Sequence, residues 1–366
     1  MKLGKVTMVT DHHLESGIGR YSYELAKKMG DFDHTQLYKP FKKTHPDAYV
    51  HLDHTWVRKI QYRSFRNLHP YILPWFIAAK VLPQKSDIYH AHWFMAALGL
   101  LIAKKKNIVV TMHDVSLLHV LEADAQFTNY YRKVIDQLKK REVPIVVVSK
   151  SAKRDAVEYA NYPDHLVYVV YNGINHDMFH VDKAAEKKKS DGPFKLIYSG
   201  GLGNRKNLPL LLKAFKIIED RNQDVVLEVA GAYPENTTYP KLAKELKLKN
   251  IDFVGFVPEK EITNFYRSAD LHVFTSDYEG FGFGPLEAMA CGTPSVSTKG
   301  GSLEEVLTGG SALVDSDPEA IASAVLRYME DTDYYETQIE KGIAHSAKYN
   351  WTQCARNTAR VYETIT

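Results

Sequence analysis

The sequence predicts an α/β protein made of two domains, each built around a doubly wound parallel β-sheet. Its 366 residues are too many for one ordinary hydrophobic core and suffice for two. Short apolar runs alternate with amphipathic segments along most of the chain, a pattern typical of β-α units. Near residues 271–294 an apolar run leads into a glycine-rich loop and a short helix. Parallel sheets present ligand sites in this way, at the carboxyl ends of their strands.

Composition places the chain among ordinary globular proteins, with 45% apolar and 25% charged residues. Two cysteines, Cys291 and Cys354, are too few for a disulfide scaffold and suit a reducing compartment. The first residues show no signal-peptide pattern, and the longest apolar runs, 71–79 and 93–103, are too short to span a bilayer. We therefore expect a cytoplasmic protein, either free or peripheral at the inner face of the membrane.

The small net charge of +3 is unevenly distributed along the chain. Residues 1–180 carry 25 Lys and Arg against 17 Asp and Glu, whereas the remainder carries 22 against 27. Fourteen of the 16 histidines also lie in the first part. This asymmetry predicts two domains with different partners.

The first domain is predicted to cover residues 1–180. Strands are expected at 5–10, 87–92, 107–111, 142–149 and 166–171, with helices at 21–29, 93–103 and 151–159. The loop at 11–20 contains Gly17 and Gly19 but lacks the third glycine of a dinucleotide fingerprint. No acidic residue follows at the required distance either, so a NAD site is disfavoured.

Three histidines lie on or just after predicted strands of this domain. His113 follows a strand, where a histidine is either a structural residue or faces a ligand. His90 and His92 share one face of their strand, but no third ligand stands at a spacing suited to zinc, so a metal site is disfavoured.

The segment 39–85 is the least regular part of the sequence. It contains nine Lys and Arg residues against two Asp, with aromatic residues between them. One interpretation is a solvated face with the aromatic side chains buried beneath it. The alternative is a surface that contacts anionic lipid headgroups or a phosphorylated acceptor. No recognisable module supports nucleic-acid binding.

A linker at 181–193 separates the second domain, predicted at 194–349. Strands are expected at 194–199, 225–231, 251–257 and 271–274, with helices at 208–219, 239–246, 259–269 and up to 329 from a cap at Asp317. Ser302 and Glu305 fit a capping box. The loop 200–207 combines glycines with Arg205 and Lys206 directly before a helix, which predicts a diphosphate site.

The stretch 275–294 holds the densest chemical pattern. Gly280, Gly282 and Gly284 let the backbone bend tightly and approach a ligand. Pro285 suits the first helical position, which places Glu287 on the first helical turn and Glu279 in the loop. The two carboxylates are then candidates to accept hydrogen bonds from a polyhydroxylated ligand in one cleft. The alternative is that Glu287 only complements the helix dipole and Glu279 is a solvated loop acid.

This stretch resembles the E-x7-E signature of the retaining, nucleotide-sugar-dependent glycosyltransferases of family 4, which have the GT-B fold. The resemblance covers nearly the whole chain and implies two Rossmann-like domains facing a cleft, with a final helix, 350–366, returning to the first domain. It implies a donor such as a UDP-, GDP- or ADP-sugar and a hydroxyl of a glycan or lipid-linked acceptor.

The resemblance also implies roles for individual residues. The catalytic candidates are His113, which faces the transferred sugar, Glu279 and Lys206. Lys206 with Arg205 neutralises the diphosphate, Glu287 holds the ribose, and Glu279 with the loop amides orients the sugar. The donor-binding candidates are Gly17, Gly201, Arg205, Lys206, Phe256, Val257, Glu279, Gly280, Phe281, Gly282, Phe283 and Glu287. The family usually has Arg directly after the first glycine of the second domain; Gly201 occupies that position here, and Arg205 is the candidate replacement.

The segments 31–33 and 315–317 look like the Asp-x-Asp metal motif of another glycosyltransferase class. Both lie at expected turns or helix caps, so no metal is predicted. Two rival functions remain open: a nucleotide-sugar 2-epimerase with the same fold, and a non-catalytic sugar-nucleotide-binding subunit of a larger complex.

Overall fold

A computed structural model describes residues 4–12, 16–29, 35–39, 49–51, 69–120, 125–182, 192–201, 203–231 and 238–365. The chain divides into two compact units, Met1–Gly173 with Trp351–Thr366, and Ile174–Asn350. This boundary falls before the expected end of the first domain at 180. Residues 174–180 pack within the second unit because Ile174 N donates to Tyr349 O (3.0 Å) and the Arg267 guanidinium donates to His180 O (2.6 Å). Most of the predicted linker, 183–191, lies outside the described residues.

The first unit contains a seven-stranded sheet of order β3-β2-β1-β4-β5-β6-β7, with parallel pairing between all of these neighbours. Its strands are β1 (Val6–Val9), β2 (Thr35–Lys39), β3 (Tyr49–His51), β4 (Ile88–Ala91), β5 (Ile108–Met112), β6 (Ile145–Val147) and β7 (Val167–Val169). Its helices before the chain enters the second unit are α1 (Gly17–Met29), α2 (His69–Val81), α3 (Phe94–Ile102), α4 (Ala125–Lys140) and α5 (Lys150–Ala160). The central strands β1, β4 and β5 are buried along their whole length, as expected for a parallel sheet covered on both faces.

The second unit contains a six-stranded parallel sheet of order β10-β9-β8-β11-β12-β13. Its strands are β8 (Phe194–Ser199), β9 (Val225–Ala230), β10 (Ile251–Gly255), β11 (Leu271–Phe274), β12 (Ser295–Ser297) and β13 (Ala312–Leu313). Its helices are α6 (Leu208–Arg221), α7 (Tyr239–Glu245), α8 (Glu259–Arg267), α9 (Phe283–Ala290), α10 (Leu303–Leu307), α11 (Pro318–Glu330) and α12 (Thr332–Ser346). Strands β8 and β11 are neighbours, so the loops that follow them meet at one edge of the sheet.

The last helix, α13 (Trp351–Glu363), belongs to the first unit. The Trp351 ring lies 5.9 Å from the ring of Tyr21 on α1. Tyr362 OH lies 2.8 Å from Nδ1 of His90 on β4. The chain therefore crosses back to complete the core of the unit in which it began.

The start of α1 differs from the expectation. The helix begins at Gly17, four residues before the predicted start at Tyr21, because Ser16 Oγ accepts a hydrogen bond from Gly19 N (3.0 Å) and caps the first turn. Gly17 and Gly19 therefore lie in the first helical turn and not in a loop.

Two predicted helix caps have opposite outcomes. The cap at Asp317 is confirmed, since its carboxylate accepts from Ala320 N at 2.9 Å. The capping box at Ser302 is wrong, because Ser302 precedes α10 in a helical conformation and its side chain makes no capping hydrogen bond. A side chain can cap a helix only when its own backbone is still extended.

Candidate functional site

The loops after β8 and β11 form one structure at the carboxyl edge of the second sheet. Residues 204–206 make a single 3₁₀ turn. Asp277 N donates to Arg205 O (2.8 Å), and Ser276 Oγ donates to the same oxygen (3.1 Å). Thr275 Oγ1 donates to Lys206 O (3.2 Å). We call these two connected segments, 204–207 and 275–279, the paired loops.

Glu279 lies at the centre of the paired loops and is only 7% exposed. Arg205 Nη1 lies 2.9 Å from Glu279 Oε2, and Lys206 Nζ contacts Glu279 Oε1. Arg205 Nη1 also donates to Tyr278 O (2.7 Å), which fixes the direction of the guanidinium. Two cations against one carboxylate leave the cluster with one net positive charge, so it suits an anion.

Burial alone would raise the pKa of the Glu279 carboxyl. The charges of Lys206 and Arg205, together with hydrogen bonds from Lys206 and Ser276, outweigh burial and hold the pKa below its ordinary value of 4.5. Glu279 is therefore ionised at neutral pH. Because it is buried and paired, the interpretation as a solvated loop acid is wrong.

The glycine-rich loop is shaped by close contacts that exclude larger residues. Gly282 has a φ of +94°, and a Cβ there would meet Leu303 Cδ2 at 2.6 Å. Gly301 has a φ of +62°, and a Cβ there would meet Glu279 O at 2.5 Å. Ser302 N donates to that same oxygen (2.9 Å). The backbone around Glu279 is thus held from both sides before any ligand binds.

The helix after this loop begins earlier than expected. α9 starts at Phe283, with Gly282 as its N-cap residue, so the prediction of Pro285 as first helical residue is wrong. Glu287 consequently lies on the second helical turn and not on the first. It is 4% exposed, and Tyr266 OH donates to its Oε2 at 3.1 Å.

The other predicted donor-binding residues of this unit are spread over three loops. Phe256 and Val257 directly follow β10, where Phe256 is 60% exposed. Gly201 is exposed in the loop after β8. Phe281 is buried, with its ring 5.2 Å from the ring of Phe283. Gly280 lies between Glu279 and Phe281 and is half-buried.

In the first unit, His113 directly follows β5 and is buried. Its ring lies edge-on to Tyr21 at 4.6 Å. Nε2 of His113 is buried and has no hydrogen-bond partner in the described part of the chain. Burial lowers the pKa of His113 well below its ordinary value, and nearby His92 and His12 lower it further. Its imidazole is neutral. Gly17 begins α1, and no atom of the described residues would contact a Cβ placed on it.

Two family models match the chain in succession. The model described as Glycosyltransferase Family 4 matches residues 16–178, and the model described as Glycosyl transferases group 1 matches residues 181–345. The chain belongs to the family 4 glycosyltransferases. It is similar to the O-antigen chain mannosyltransferase B of Escherichia coli, with 24% identity over 96% of both chains. It is also similar to the D-inositol 3-phosphate glycosyltransferase of Thermobispora bispora, with 27% identity over 76% of this chain and 71% of the relative.

Solved structures show the fold of this family 4 glycosyltransferase. The sucrose-phosphate synthase of Thermosynechococcus elongatus matches with a TM-score of 0.81, 18% identity and 98% coverage of both chains. Anabaena HepE, solved with UDP and glucose, matches with a TM-score of 0.78 and 18% identity, covering 99% of this chain and 100% of that one. The predicted α/β class with two Rossmann-like domains of GT-B type is confirmed, and the chain is an enzyme of glycosyl transfer, a hexosyltransferase.

Two features are absent from the described residues. None of the helices described is long and apolar enough to cross a membrane. No group of three or more His, Cys, Asp or Glu side chains within the described ranges is arranged to hold a metal ion. Asp315 instead pairs with Lys299 (2.7 Å), and the segment 31–33 lies outside the described residues.

Sequence reasoning missed several residues that support the site. Tyr266, which donates to Glu287, lies on α8 and reads in the sequence as an ordinary core residue of an amphipathic helix. Ser276 and Thr275, which tie the paired loops together, read only as polar residues at a strand end. No sequence signal distinguishes such residues, because their partners are 21 to 71 positions away in the chain.

Proposed function

We propose that this enzyme transfers a hexose, with retention of anomeric configuration, from a nucleotide diphosphate sugar to a hydroxyl of a glycan or lipid-linked acceptor. This reaction belongs to polysaccharide or glycolipid synthesis. The observation that carries the proposal is the pairing of the buried Glu279 carboxylate with the partly exposed Arg205 and Lys206. A pre-built cluster with net positive charge supports binding of the diphosphate.

Lys206 and Arg205 take the role of neutralising the leaving diphosphate. Fixed cations stabilise charge that develops on the leaving group without reorganising during the reaction, and this is the main catalytic contribution we assign to the protein. The exposed backbone at Gly201 and the first turn of α1 at Gly17 supply further N–H donors.

Glu279 and the amides of Gly280, Phe281, Gly282 and Phe283 orient the sugar, and Glu287 accepts hydrogen bonds from the ribose hydroxyls. Phe256 and Val257 hold the nucleobase, and the exposed Phe256 ring stacks against it. His113 contacts the transferred sugar. Its neutral imidazole offers a buried nitrogen as hydrogen-bond acceptor or donor.

Retention without a covalent intermediate fits the state of Glu279. A carboxylate that is paired with two cations is a poor nucleophile, because attack would remove its charge from both partners. We therefore assign attack by the acceptor hydroxyl on the same face as the leaving group, with the departing phosphate taking the proton. No divalent metal is assigned, and turnover in excess EDTA tests this.

The donor is tested first by thermal stabilisation, because a ligand that binds the folded state raises its melting temperature. We expect one of the UDP-, GDP- and ADP-sugars to stabilise the wild type and not Lys206→Met. The control is Lys195→Met, which breaks a comparable ion pair with Glu228 (2.7 Å) on β9. Stabilisation by none of the three, or equal stabilisation of Lys206→Met, would contradict the proposal.

Product analysis separates the transferase from its rivals. A nucleotide-sugar 2-epimerase changes the donor with no acceptor present, whereas the proposed enzyme leaves the donor sugar's configuration at C2 intact. A non-catalytic binding subunit shows stabilisation by the donor without any product. The anomeric configuration of the product, read by proton NMR, tests retention.

We also propose peripheral contact with the cytoplasmic face of a membrane through the segment 39–85, of which 39, 49–51 and 69–85 lie in described ranges. One face of α2 and its end carries exposed apolar side chains: Ile72, Trp75 (65% exposed) and Leu82 (63% exposed). Exposed Lys80 and Lys85 stand beside them. An apolar stripe with adjacent cations suits an anionic lipid surface.

Sedimentation with lipid vesicles tests this contact. We expect binding to phosphatidylglycerol vesicles, less to phosphatidylcholine vesicles, and loss of binding in Trp75→Ser. The control is Val254→Ser, which changes an exposed apolar residue of the second unit. Equal binding by both variants would contradict a contact through α2.

A further inference from the structure

A buried chain of polar side chains leads from the sheet of the second unit to Glu287. Ser199 ends β8, His272 lies in β11 and Ser295 begins β12, so the three residues lie on adjacent strands. His272 Nδ1 lies 3.2 Å from Ser295 Oγ, and His272 Nε2 lies 3.0 Å from Ser199 Oγ. All three side chains are buried.

Tyr266 on α8 connects this chain to the site. Its hydroxyl oxygen lies 2.9 Å from Ser199 Oγ and 3.1 Å from Glu287 Oε2. We call Ser295, His272, Ser199 and Tyr266 the relay.

The hydrogen positions of the relay follow from counting donors. A hydroxyl has one hydrogen, and the carboxylate of Glu287 accepts only, so Tyr266 gives its hydrogen to Glu287. Tyr266 must then accept from Ser199, and Ser199 must accept from Nε2–H of His272. His272 Nδ1 in turn accepts from Ser295. All four hydrogen bonds therefore run in one direction and end on the carboxylate.

The protonation state of His272 agrees with this direction. Burial lowers the pKa of His272 to about 3, so the ring is neutral at physiological pH and has one N–H and one acceptor nitrogen. Hydrogen bonds aligned in one direction polarise each other, so the relay strengthens the last donor, Tyr266 OH.

We propose that His272, Ser199 and Tyr266 are positioning residues that fix the Glu287 carboxylate in the orientation needed to accept hydrogen bonds from the ribose hydroxyls of the donor. This inference rests on the proposed role of Glu287 in donor binding. None of the three touches the reacting atoms. Their effect is confined to how well the ribose is held, which separates this role from a general contribution to stability.

The first experiment measures, by calorimetry, the binding of UDP, GDP and ADP and of their 2′,3′-dideoxy analogues. The wild type is expected to bind one of the ribonucleotides with the highest affinity, and to bind it more tightly than the dideoxy analogue of that nucleotide. In Tyr266→Phe the ribonucleotide is expected to weaken about tenfold, since a hydrogen bond to a charged group is lost, while the analogue is unchanged. The matched control is Tyr335→Phe, whose buried hydroxyl has no hydrogen-bond partner in the described ranges.

The outcomes distinguish a failure of the relay from a failure of the proposed ribose binding by Glu287. If the wild type binds ribonucleotide and analogue equally, the ribose role of Glu287 fails and the inference fails with it. If the wild type distinguishes them and Tyr266→Phe does so equally well, only the relay is wrong. Equal weakening of both ligands in Tyr266→Phe would show a purely structural role and would also overturn it.

The second experiment tests the direction of the relay without a ligand. Nitrogen chemical shifts of histidine in isotope-labelled wild type are expected to show His272 as a neutral ring protonated on Nε2, unchanged between about pH 5 and 8. A ring protonated on Nδ1, or on both nitrogens, would overturn the proposed direction. In binding, His272→Gln is expected to retain more of the preference for ribose than His272→Leu, because the amide N–H replaces the donor to Ser199.

Discussion

The site in the second unit and the buried histidines of the first unit, His92 and His113, differ in how their buried polar groups are paired. Glu279 is ionised, and both of its oxygens are paired with cations. His92 and His113 are neutral, and three of their four ring nitrogens, both of His92 and Nε2 of His113, have no hydrogen-bond partner in the described chain. A buried polar atom without a partner costs free energy. The second unit is therefore prepared for a charged ligand in advance, whereas the first unit holds polar atoms that a ligand or water would satisfy.

The largest effect is expected from Glu279→Ala, which breaks the prepared site. Two cations lose their shared carboxylate and are free to move, so we expect kcat to fall about 100- to 1000-fold. Steady-state kinetics measure this. The control is Glu228→Ala, which removes the carboxylate of another ion pair in the same unit and is expected to leave kcat nearly unchanged. A loss of less than about tenfold in Glu279→Ala would mean that the prepared charge is not used in catalysis.

Gly282→Ala tests whether the backbone of the prepared site is fixed. The positive φ and the contact with Leu303 oppose any Cβ, so we expect a loss of about 1–3 kcal/mol in unfolding free energy. Urea denaturation measures this. Gly203→Ala serves as the control, because no described atom lies within 4 Å of a Cβ placed there and its φ is negative. Similar losses in both variants would show that the fixed backbone is not specific to the site.

His113→Ala tests the buried histidines of the first unit, His92 and His113. Removing one hydrogen bond between uncharged groups is expected to lower kcat/KM about tenfold, well below the effect at Glu279. The same variant is expected to lower the melting temperature, because the buried ring packs edge-on to Tyr21 at 4.6 Å and its removal leaves a cavity. An effect on kcat/KM as large as that of Glu279→Ala would remove the proposed contrast between the two units.

The smallest effect concerns pH. Burial holds the pKa of His92 well below its ordinary value of 6.5, so below pH 6.5 the unfolded chain binds a proton that the folded chain does not. The stability that neutral His92 contributes is fully present above pH 6.5 and is lost as the pH falls towards the pKa that His92 has in the folded state. In His92→Leu, the decrease in unfolding free energy on acidification is expected to be smaller than in the wild type by about 1.4 kcal/mol per pH unit. For Glu279 the loss begins only below its ordinary pKa of 4.5.

Thermal unfolding measured as a function of pH gives the loss of stability of the wild type and of His92→Leu. If His92→Leu and the wild type lose stability in parallel between about pH 6.5 and 5, His92 is not buried in its neutral form.

The sequence was informative wherever an apolar run had clear ends. The strands at Phe194–Ser199 and Leu271–Phe274 were predicted with the observed bounds, because turn residues flank them on both sides. The strand Ser295–Ser297 was missed because it is three residues long and two of them are serine. Helix α2 was missed because Pro74 lies inside it and apolar residues occur all round it, which removes the helical period.

The candidate site was predictable in its residue types but not in its contacts. Glycines, two acids and two cations marked it, since few other patterns combine these groups next to strand ends. The direction of Arg205 was not predictable, because it depends on the carbonyl of Tyr278, which is 73 residues away. The start of α9 was misplaced because Pro285 suits several positions in a first turn, and the left-handed Gly282 decides among them.

The paired loops have a consequence for engineering new donor preferences. Arg205 O accepts from both Asp277 N and Ser276 Oγ, so neither loop keeps its shape without the other. Transplanting one of these segments from a relative would leave foreign and native halves mismatched. Specificity changes in this fold should therefore be attempted by exchanging 204–207 and 275–279 together, as a single cassette made of two separate stretches of chain.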